Sequence, residues 1–304
     1  MPLPARPNSN DFRLPGGKDT GSCYPYYRLS ATIEFKLAQR KAGYKGGALI
    51  PLSELTKVSV ILPTYDERDN IQILIYQVLK YIGNGVEIVV VDDDSPDGTW
   101  RLVQDIATTD PRVRLLRRIG RRGLTSAIRE GISMARGDII CWMDCDLSMP
   151  PKILPALVQA MRENDIAVGS RYVRGGNDVR DSSLRVISSK VVNYLASLLL
   201  RTKTVDLTSG FLAVRRAVFN TLSLNGGYGD YCIDFLCRAE RAGFKLVEIP
   251  YACLPRQRGV TKTDPSLSKF LHHGLTYVAT IVRLFLAAKT PISREVLRDE
   301  REVL

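Results

Sequence analysis

No stretch of the 304-residue sequence is apolar over the roughly twenty residues that a bilayer-crossing helix requires. The longest apolar segments are Val191–Leu200, which ends at Arg201, and Leu275–Ala288, which carries Arg283 near its middle. No transmembrane helix is therefore expected. The opening MPLPARPNSND holds three prolines and no apolar h-region, and is not expected to be a secretory signal. The six cysteines form no CxxC pair and no zinc spacing with His272 or His273, so they are expected to be reduced, small and buried. A GxxxxGK[ST] loop is absent and no GxGxxG comes after the first apolar strand, which removes support from P-loop and dinucleotide-binding readings. No internal repeat is visible. Positive charge is what the chain has in excess: 43 Lys and Arg against 32 Asp and Glu, a formal net charge of +11. That excess points to a polyanionic partner (nucleic acid, acidic lipid headgroups or phosphorylated ligands) or to nothing more than a well-solvated surface. With 45% hydrophobic residues, a largely disordered chain is excluded.

Residues 1–57 differ in composition from the rest of the chain. They begin rich in Pro, Gly and Asn, suggest one short helix over Leu29–Ala42, and hold nine Lys and Arg against four Asp and Glu. From Lys57 onward, apolar runs of strand length alternate with helical patterns. The strands are expected at Val58–Leu62, Glu87–Val91, Val113–Leu116, Asp138–Met143 and Ile166–Gly169. The helices are expected near Asp69–Ile82, Asp97–Ala107, Leu124–Ala135 and Pro151–Glu163. Strands that are apolar throughout and alternate with helices imply an α/β fold, a mostly parallel sheet covered on both faces. Right-handed crossovers then bring the carboxyl ends of the strands to one edge.

Three acidic clusters converge on that edge: Pro63-Thr64-Tyr65-Asp66-Glu67 after the first strand, Asp92-Asp93-Asp94-Ser95-Pro96-Asp97-Gly98 after the second, and Asp144-Cys145-Asp146 after the fourth. Ligands of open α/β sheets bind there, outside the strand ends at the topological switch point. Clustered carboxylates need a counter-charge, most simply a divalent cation, and hard oxygen donors suit Mg²⁺ or Mn²⁺. Alternation along an extended chain puts Asp144 and Asp146 on the same side. Asp97 is expected only to cap a helix. A divalent ion beside a basic protein typically bridges phosphate oxygens, so a diphosphate ligand is expected.

The motifs at this edge and beyond it match a known family. Val58–Asn70 (VSVILPTYDERDN), Val89–Trp100 (VVVDDDSPDGTW), Met143–Leu147 (MDCDL), Gly169–Gly176 (GSRYVRGG) and Thr208–Phe211 (TSGF) resemble the polyprenol-phosphate mannosyltransferases. These are family 2 inverting glycosyltransferases with the GT-A fold. The resemblance runs in order over some two-thirds of the chain, from Val58 to Lys262, and does not cover residues 1–57. It implies transfer of mannose from GDP-mannose to a dolichyl or other polyprenyl monophosphate with Mg²⁺ or Mn²⁺.

Carried over position by position, the resemblance implies that Pro63, Tyr65, Glu67, Val91 and Asp93 contact the nucleotide. Asp144 and Asp146 would hold the metal and donor diphosphate, with Cys145 between them and Ser148 as a weaker ligand where relatives often have Gln. Arg171, Arg185 and Ser189 match positions that hold the lipid phosphate; the i,i+4 spacing of the last two independently puts them on one helical face. Arg256 and Lys262, in a late basic loop, would clamp the donor diphosphate. Asp234 lies about one residue out of step with an acidic position of the family, so it is not assigned the role of base. A phosphate monoester is already anionic at neutral pH and needs no strong base.

The expected organisation is an extension over residues 1–57, a GT-A catalytic domain over 58–265, and a helical segment over 266–304. Apolar residues recur in that last segment at helical spacing among Lys269, Arg283 and Lys289, as they would in an interfacial amphipathic helix or in a helix packed on the enzyme or a partner. Some members of the family without spans use a small membrane-anchoring subunit. The expected location is peripheral, at the cytoplasmic face of the endoplasmic reticulum in a eukaryote or of the plasma membrane in a prokaryote. Three alternatives compete. One is glucose transfer from UDP-glucose. Another is a phosphoaspartyl phosphatase, whose DxD would normally come after the first core strand. The third is nucleic-acid binding through Arg117-Arg118-Ile119-Gly120-Arg121-Arg122, which no recognised motif accompanies and a loop near phosphates explains as well.

Overall fold

The computed structural model describes residues 57–180, 183–258 and 267–287, with side chains of the last segment described from residue 274 onward. The helix expected over Leu29–Ala42 and Lys262, expected to clamp the diphosphate, lie outside the described residues.

Strands β1 (Val58–Thr64), β2 (Val86–Asp92), β3 (Val113–Arg117) and β4 (Ile139–Trp142) alternate with helices α1 (Arg68–Ile82), α2 (Thr99–Thr109) and α3 (Leu124–Met134). A 3₁₀ turn at Pro151–Ile153 leads into α4 (Leu154–Ala160), then β5 (Ile166–Ser170), the short β6 (Asn177–Asp178) and α5 (Ser183–Leu200). The chain continues through β7 (Leu212–Arg215), α6 (Asp230–Arg241), β8 (Leu246–Pro250), β9 (Ala252–Cys253) and α7 (Leu267–Ala287). The main sheet has the order β3-β2-β1-β4-β7-β5-β8; only β7 runs antiparallel to its neighbours, and β6 pairs with β9 in a separate ladder. The five expected strands are present. Sequence reading missed four: β7 and β8 of the main sheet, the four residues LAVR and the half-buried LVEIP at the sheet edge, and the two-residue strands β6 and β9.

Alternation along the central strands divides the core into two layers. Val60 and Leu62 of β1 and Ile88 and Val90 of β2 face α1, α2 and α4 through Ile71, Leu74, Val103 and Leu157. Ile61, Val89 and Val91 face the other way, joining the layer that contains Ile128 of α3, Leu200 of α5, Phe235 of α6 and Leu284 of α7. Each fully buried aliphatic side chain contributes about 1.5–3 kcal/mol, which is why the strands are apolar on both faces. The strand order reverses between β2 and β4 around β1, and the carboxyl ends of all three open on the same edge. That crevice is where the acidic clusters lie.

Helix α7 packs against α6 and also meets α5. Arg283 donates to Asp234 at 2.5 Å, Thr280 donates to Asp230 at 3.3 Å, and Ile281 and Leu284 are buried. One face of the helix thus packs on α6. Asp234, also paired with Arg238, belongs to that helix contact. Among the described residues no helix is long and apolar enough to cross a membrane.

Candidate active site

The end of β1 turns sharply at Asp66, whose φ of 52° is the left-handed conformation that Asp tolerates better than most residues. The turn places Tyr65 at the mouth of the crevice and Glu67, which is buried, at its floor. After β2 the three aspartates separate by function. Asp92 is fully buried and accepts from the Ser95 amide, the Ser95 hydroxyl and the Thr64 hydroxyl, so it builds the turn. Asp94 pairs with Arg117 near the surface at 2.5 Å. Asp93 accepts from Nε of Arg118 at 2.7 Å and from the Gly123 amide at 2.9 Å. Val91, expected to contact the nucleotide, is completely buried, and its carbonyl accepts from the Thr64 hydroxyl at 3.3 Å. Asp97 does what a cap does, for two helices: its carboxylate accepts the Thr99 amide of α2 and the Arg68 amide of α1.

The run Arg117–Arg122 is not a free basic patch. Arg117 stacks over Trp100 at 3.5 Å besides pairing with Asp94, Arg118 is buried against Asp93 and Glu130, and Arg121 also reaches Glu130. Arg122 lies over the Tyr65 ring at 4.1 Å. Arg118 and Arg122 adjoin the candidate site through Asp93 and Tyr65, and sequence reading did not separate them from the run. The only signal for them was their position after β3, at the same sheet edge.

Beyond β4, Asp144 and Asp146 are half-buried on either side of the buried Cys145, as alternation requires. The Cys145 thiol donates to the Pro63 carbonyl at 3.3 Å, tying the ends of β4 and β1 together. Leu147 then adopts a φ of 63°, a costly conformation for a branched apolar residue. It turns the backbone so that the Ser148 amide donates to Asp146 at 3.0 Å. Ser148 is itself buried beside the DxD. The loop after β9 closes over this turn: the Leu254 amide donates to the Ser148 carbonyl and the Gln257 amide to the Asp146 carbonyl. It carries Arg256, which donates through Nη2 to both oxygens of Glu67 at 2.7 and 2.6 Å and lies 3.5 Å from Asp146 through Nη1.

Burial raises the Asp144 carboxyl from 3.8 to about 7, and the negative charges of Asp146 and Glu67 push the same way. The folded chain thus holds a proton that the unfolded chain has released across that interval. The associated stability is complete below the lower value and is lost as pH rises through the upper one. Asp144→Asn keeps a neutral side chain at every pH. In chelator-treated buffer its urea midpoint should therefore gain on the wild type steadily from pH 4 to about 7. A difference that does not change over this range would count against a raised carboxyl.

The residues matched to the lipid phosphate lie at the end of β5 and on α5. Arg171 is buried and bidentate to Asp206 at 2.8 and 2.7 Å, and it donates to the Thr208 hydroxyl at 2.8 Å. Ser189 accepts from Tyr172 at 2.9 Å and lies 3.3 Å from the same Thr208 hydroxyl. Arg171 and Ser189 thus share one partner, and Arg185 sits half-buried one turn earlier on α5. Gly176 makes the adjoining bend possible, since a Cβ there would lie 2.6 Å from the Ser170 carbonyl oxygen. A cavity of about 410 Å³ opens between Arg171, Asp178 and the Lys190–Tyr194 turn of α5.

The family model described as glycosyl transferase family 2 matches residues 59–223. The chain is 38% identical over 223 residues to a dolichol-phosphate mannosyltransferase of Pyrococcus furiosus, covering 71% of this chain and 62% of that protein. It is 37% identical over 215 residues to a polyprenol monophosphomannose synthase of Mycolicibacterium smegmatis, covering 68% of this chain and 81% of that one. Among solved structures, glucosyl-3-phosphoglycerate synthase from Mycobacterium tuberculosis, in complex with Mn²⁺, UDP and glucosyl-3-phosphoglycerate, superimposes with a TM-score of 0.59. That match covers 77% of this chain and 81% of that one at 18% identity, a likeness of fold.

Proposed function

The chain belongs to glycosyl transferase family 2, and from that premise we propose that it transfers mannose from GDP-mannose to a dolichyl or other polyprenyl monophosphate, with inversion. The observation that carries this reading is the meeting of Glu67, Asp144, Asp146 and Arg256 at the switch point, beside the Arg171–Thr208–Ser189 cluster. One side of the crevice is built for a metal-bound diphosphate and the other for an anionic acceptor. The names of the two relatives supply the sugar and the lipid class.

A divalent cation fits the first side. Asp144 and Asp146 offer hard oxygens, and Asp144 stands among negative charges that raise it. Among the described residues, no group of three or more His, Cys, Asp or Glu could hold a metal alone, so the phosphates would complete the shell. Bound there through Asp144 and Asp146, with Ser148 adjacent, Mg²⁺ or Mn²⁺ would neutralise charge on the departing diphosphate. The protein's own contribution is orientation and further electrostatic stabilisation. Tyr65 and Asp93 line the nucleoside end and Arg256 serves the phosphates, with Lys262 proposed beside it. The acceptor phosphate oxygen attacks the anomeric carbon from the opposite face; the bond to the diphosphate oxygen breaks and GDP leaves with its electron pair.

The acceptor's chain belongs in a bilayer. Helix α5 exposes Leu184, Ile187, Leu195 and Leu198, and the outer face of α7 exposes Leu275, Val278 and Val282. A joint apolar face of this kind suits a peripheral seat on a membrane surface. The test supplies labelled GDP-mannose and UDP-glucose in parallel, with dolichyl or undecaprenyl phosphate in vesicles. Mannose should transfer and glucose should not; the reverse would overturn the donor assignment. A triple variant with Glu at Leu195, Leu198 and Val278 should lose roughly tenfold or more of transfer to vesicle-borne acceptor. It should keep transfer to detergent-dispersed acceptor, and equal loss in both would remove the membrane role.

A further inference from the structure

The Arg256 guanidinium has five N–H donors, and most of them are already in use. Nε donates to the Arg258 carbonyl at 2.9 Å, Nη2 to both Glu67 oxygens, and Nη1 faces Asp146. Asp146 is committed in turn: Oδ1 accepts from Ser148 and Oδ2 faces Arg256. A cation held by that oxygen would stand against a positive charge, and a diphosphate held by Arg256 would need the donors that Glu67 now takes. With one Nη1 hydrogen left over, a bidentate hold on the diphosphate competes with the bonds to Glu67.

We propose that Arg256 is the resident counter-charge of the donor site, neutralising Glu67 and Asp146 until a metal-bound nucleoside diphosphate displaces its guanidinium onto the phosphates. This rests on the metal and diphosphate roles proposed for the DxD turn and its loop. The displacement is a side-chain swing. The loop backbone is anchored by the bonds from Leu254 and Gln257 to the DxD turn and by the Asn70 side chain, whose Nδ2 donates to the Arg258 carbonyl at 3.1 Å. In the exchange the carboxylates give up the single charge of the guanidinium for the double charge of the cation, and the anionic diphosphate that arrives with the cation faces both. The consequence is ordered loading. Free metal competes with Arg256 and binds poorly, whereas metal with nucleotide gives the guanidinium an anionic destination.

The experiment measures Mn²⁺ binding by electron paramagnetic resonance of the free ion, with and without GDP. Without nucleotide, Arg256→Gln should bind Mn²⁺ roughly tenfold more tightly than the wild type, within the usual range of coupling between sites. The improvement that GDP brings to Mn²⁺ binding should shrink in the variant by a similar factor. Equal or weaker nucleotide-free affinity in a folded Arg256→Gln chain would overturn the proposal. The wild type gives a readout that depends on no variant's folding. Slowly rotating guanidinium Nη resonances, pinned by Glu67, should be replaced on adding Mg²⁺ and GDP; unaltered resonances would also overturn it. Absence of Mn²⁺ binding to the wild type even with GDP would instead refute the metal role of Asp144 and Asp146, and the exchange with it. GDP-dependent binding in the wild type, with no gain in Arg256→Gln, refutes the exchange alone.

Discussion

Asp146→Ala is expected to reduce the proposed mannosyl transfer about a thousandfold, the scale on which loss of a major group stabilising transition-state charge is felt. The reason is electrostatic and local. Asp146 is half-buried at the end of β4, and its carboxylate shares the site with Asp144 and Glu67. On the proposed role, removing it takes away a metal ligand and leaves the diphosphate charge uncompensated. It also loses the bond from the Ser148 amide, worth about 0.5–1.5 kcal/mol, so the fold should persist with a modestly lower melting temperature. The measurement is initial-rate transfer at saturating Mg²⁺, with circular dichroism on the same sample. Near-normal transfer would remove the DxD from the reaction, and loss of the fold alongside activity would make the position structural.

Asp206→Ala should produce the largest loss of stability among single substitutions near the Arg171–Thr208–Ser189 cluster. Asp206 is fully buried and accepts from Nε and Nη2 of Arg171 and from the Arg171 amide. The other carboxylate paired with that buried guanidinium, Asp178, stands farther off at 3.7 Å. Breaking a buried pair on one side strands the other charge and costs about 3–5 kcal/mol, a large part of the roughly 5–15 kcal/mol typical of folded domains. Urea denaturation would read it directly. Replacing both partners, as Asp206→Leu with Arg171→Met, should recover much of that loss, because two desolvated charges are exchanged for apolar contact. Failure of the double variant to recover stability would mean that Arg171 does more than balance Asp206. The same double variant separates roles. Arg171 reaches Ser189 through Thr208 in this structure, so a purely supporting Arg171 predicts a raised KM for the lipid phosphate with kcat little changed.

The frame of the active site was legible at the level of residues. Apolar runs such as VSVIL and EIVVV can be neither surface strands nor exposed helices, and their alternation with amphipathic helices leaves few topologies. Asp144 and Asp146 could be placed on one side of the chain because the period of an extended segment is two. The same periodicity failed after β2, where the backbone turns, with Asp94 at a φ of 56°. Nothing in DDDSPDG tells the turn-building Asp92 from the site-facing Asp93. Helix α7 was legible as amphipathic but not as two-faced, since its partner Asp234 stands 49 residues away.

The sequence by itself determined the α/β alternation and the acidic edge with its paired Asp144 and Asp146, because both depend on local period and side-chain chemistry. Only the tertiary structure decided what those residues are bonded to: Arg256 with Glu67 across 189 positions, Arg171 with Asp206 across 35, and the arginines of the Arg117–Arg122 run with their several partners. The physical reason is that a buried charge must be neutralised by whatever the fold brings within about 3 Å, and that neighbour is set by the packing of the whole sheet, not by distance along the chain.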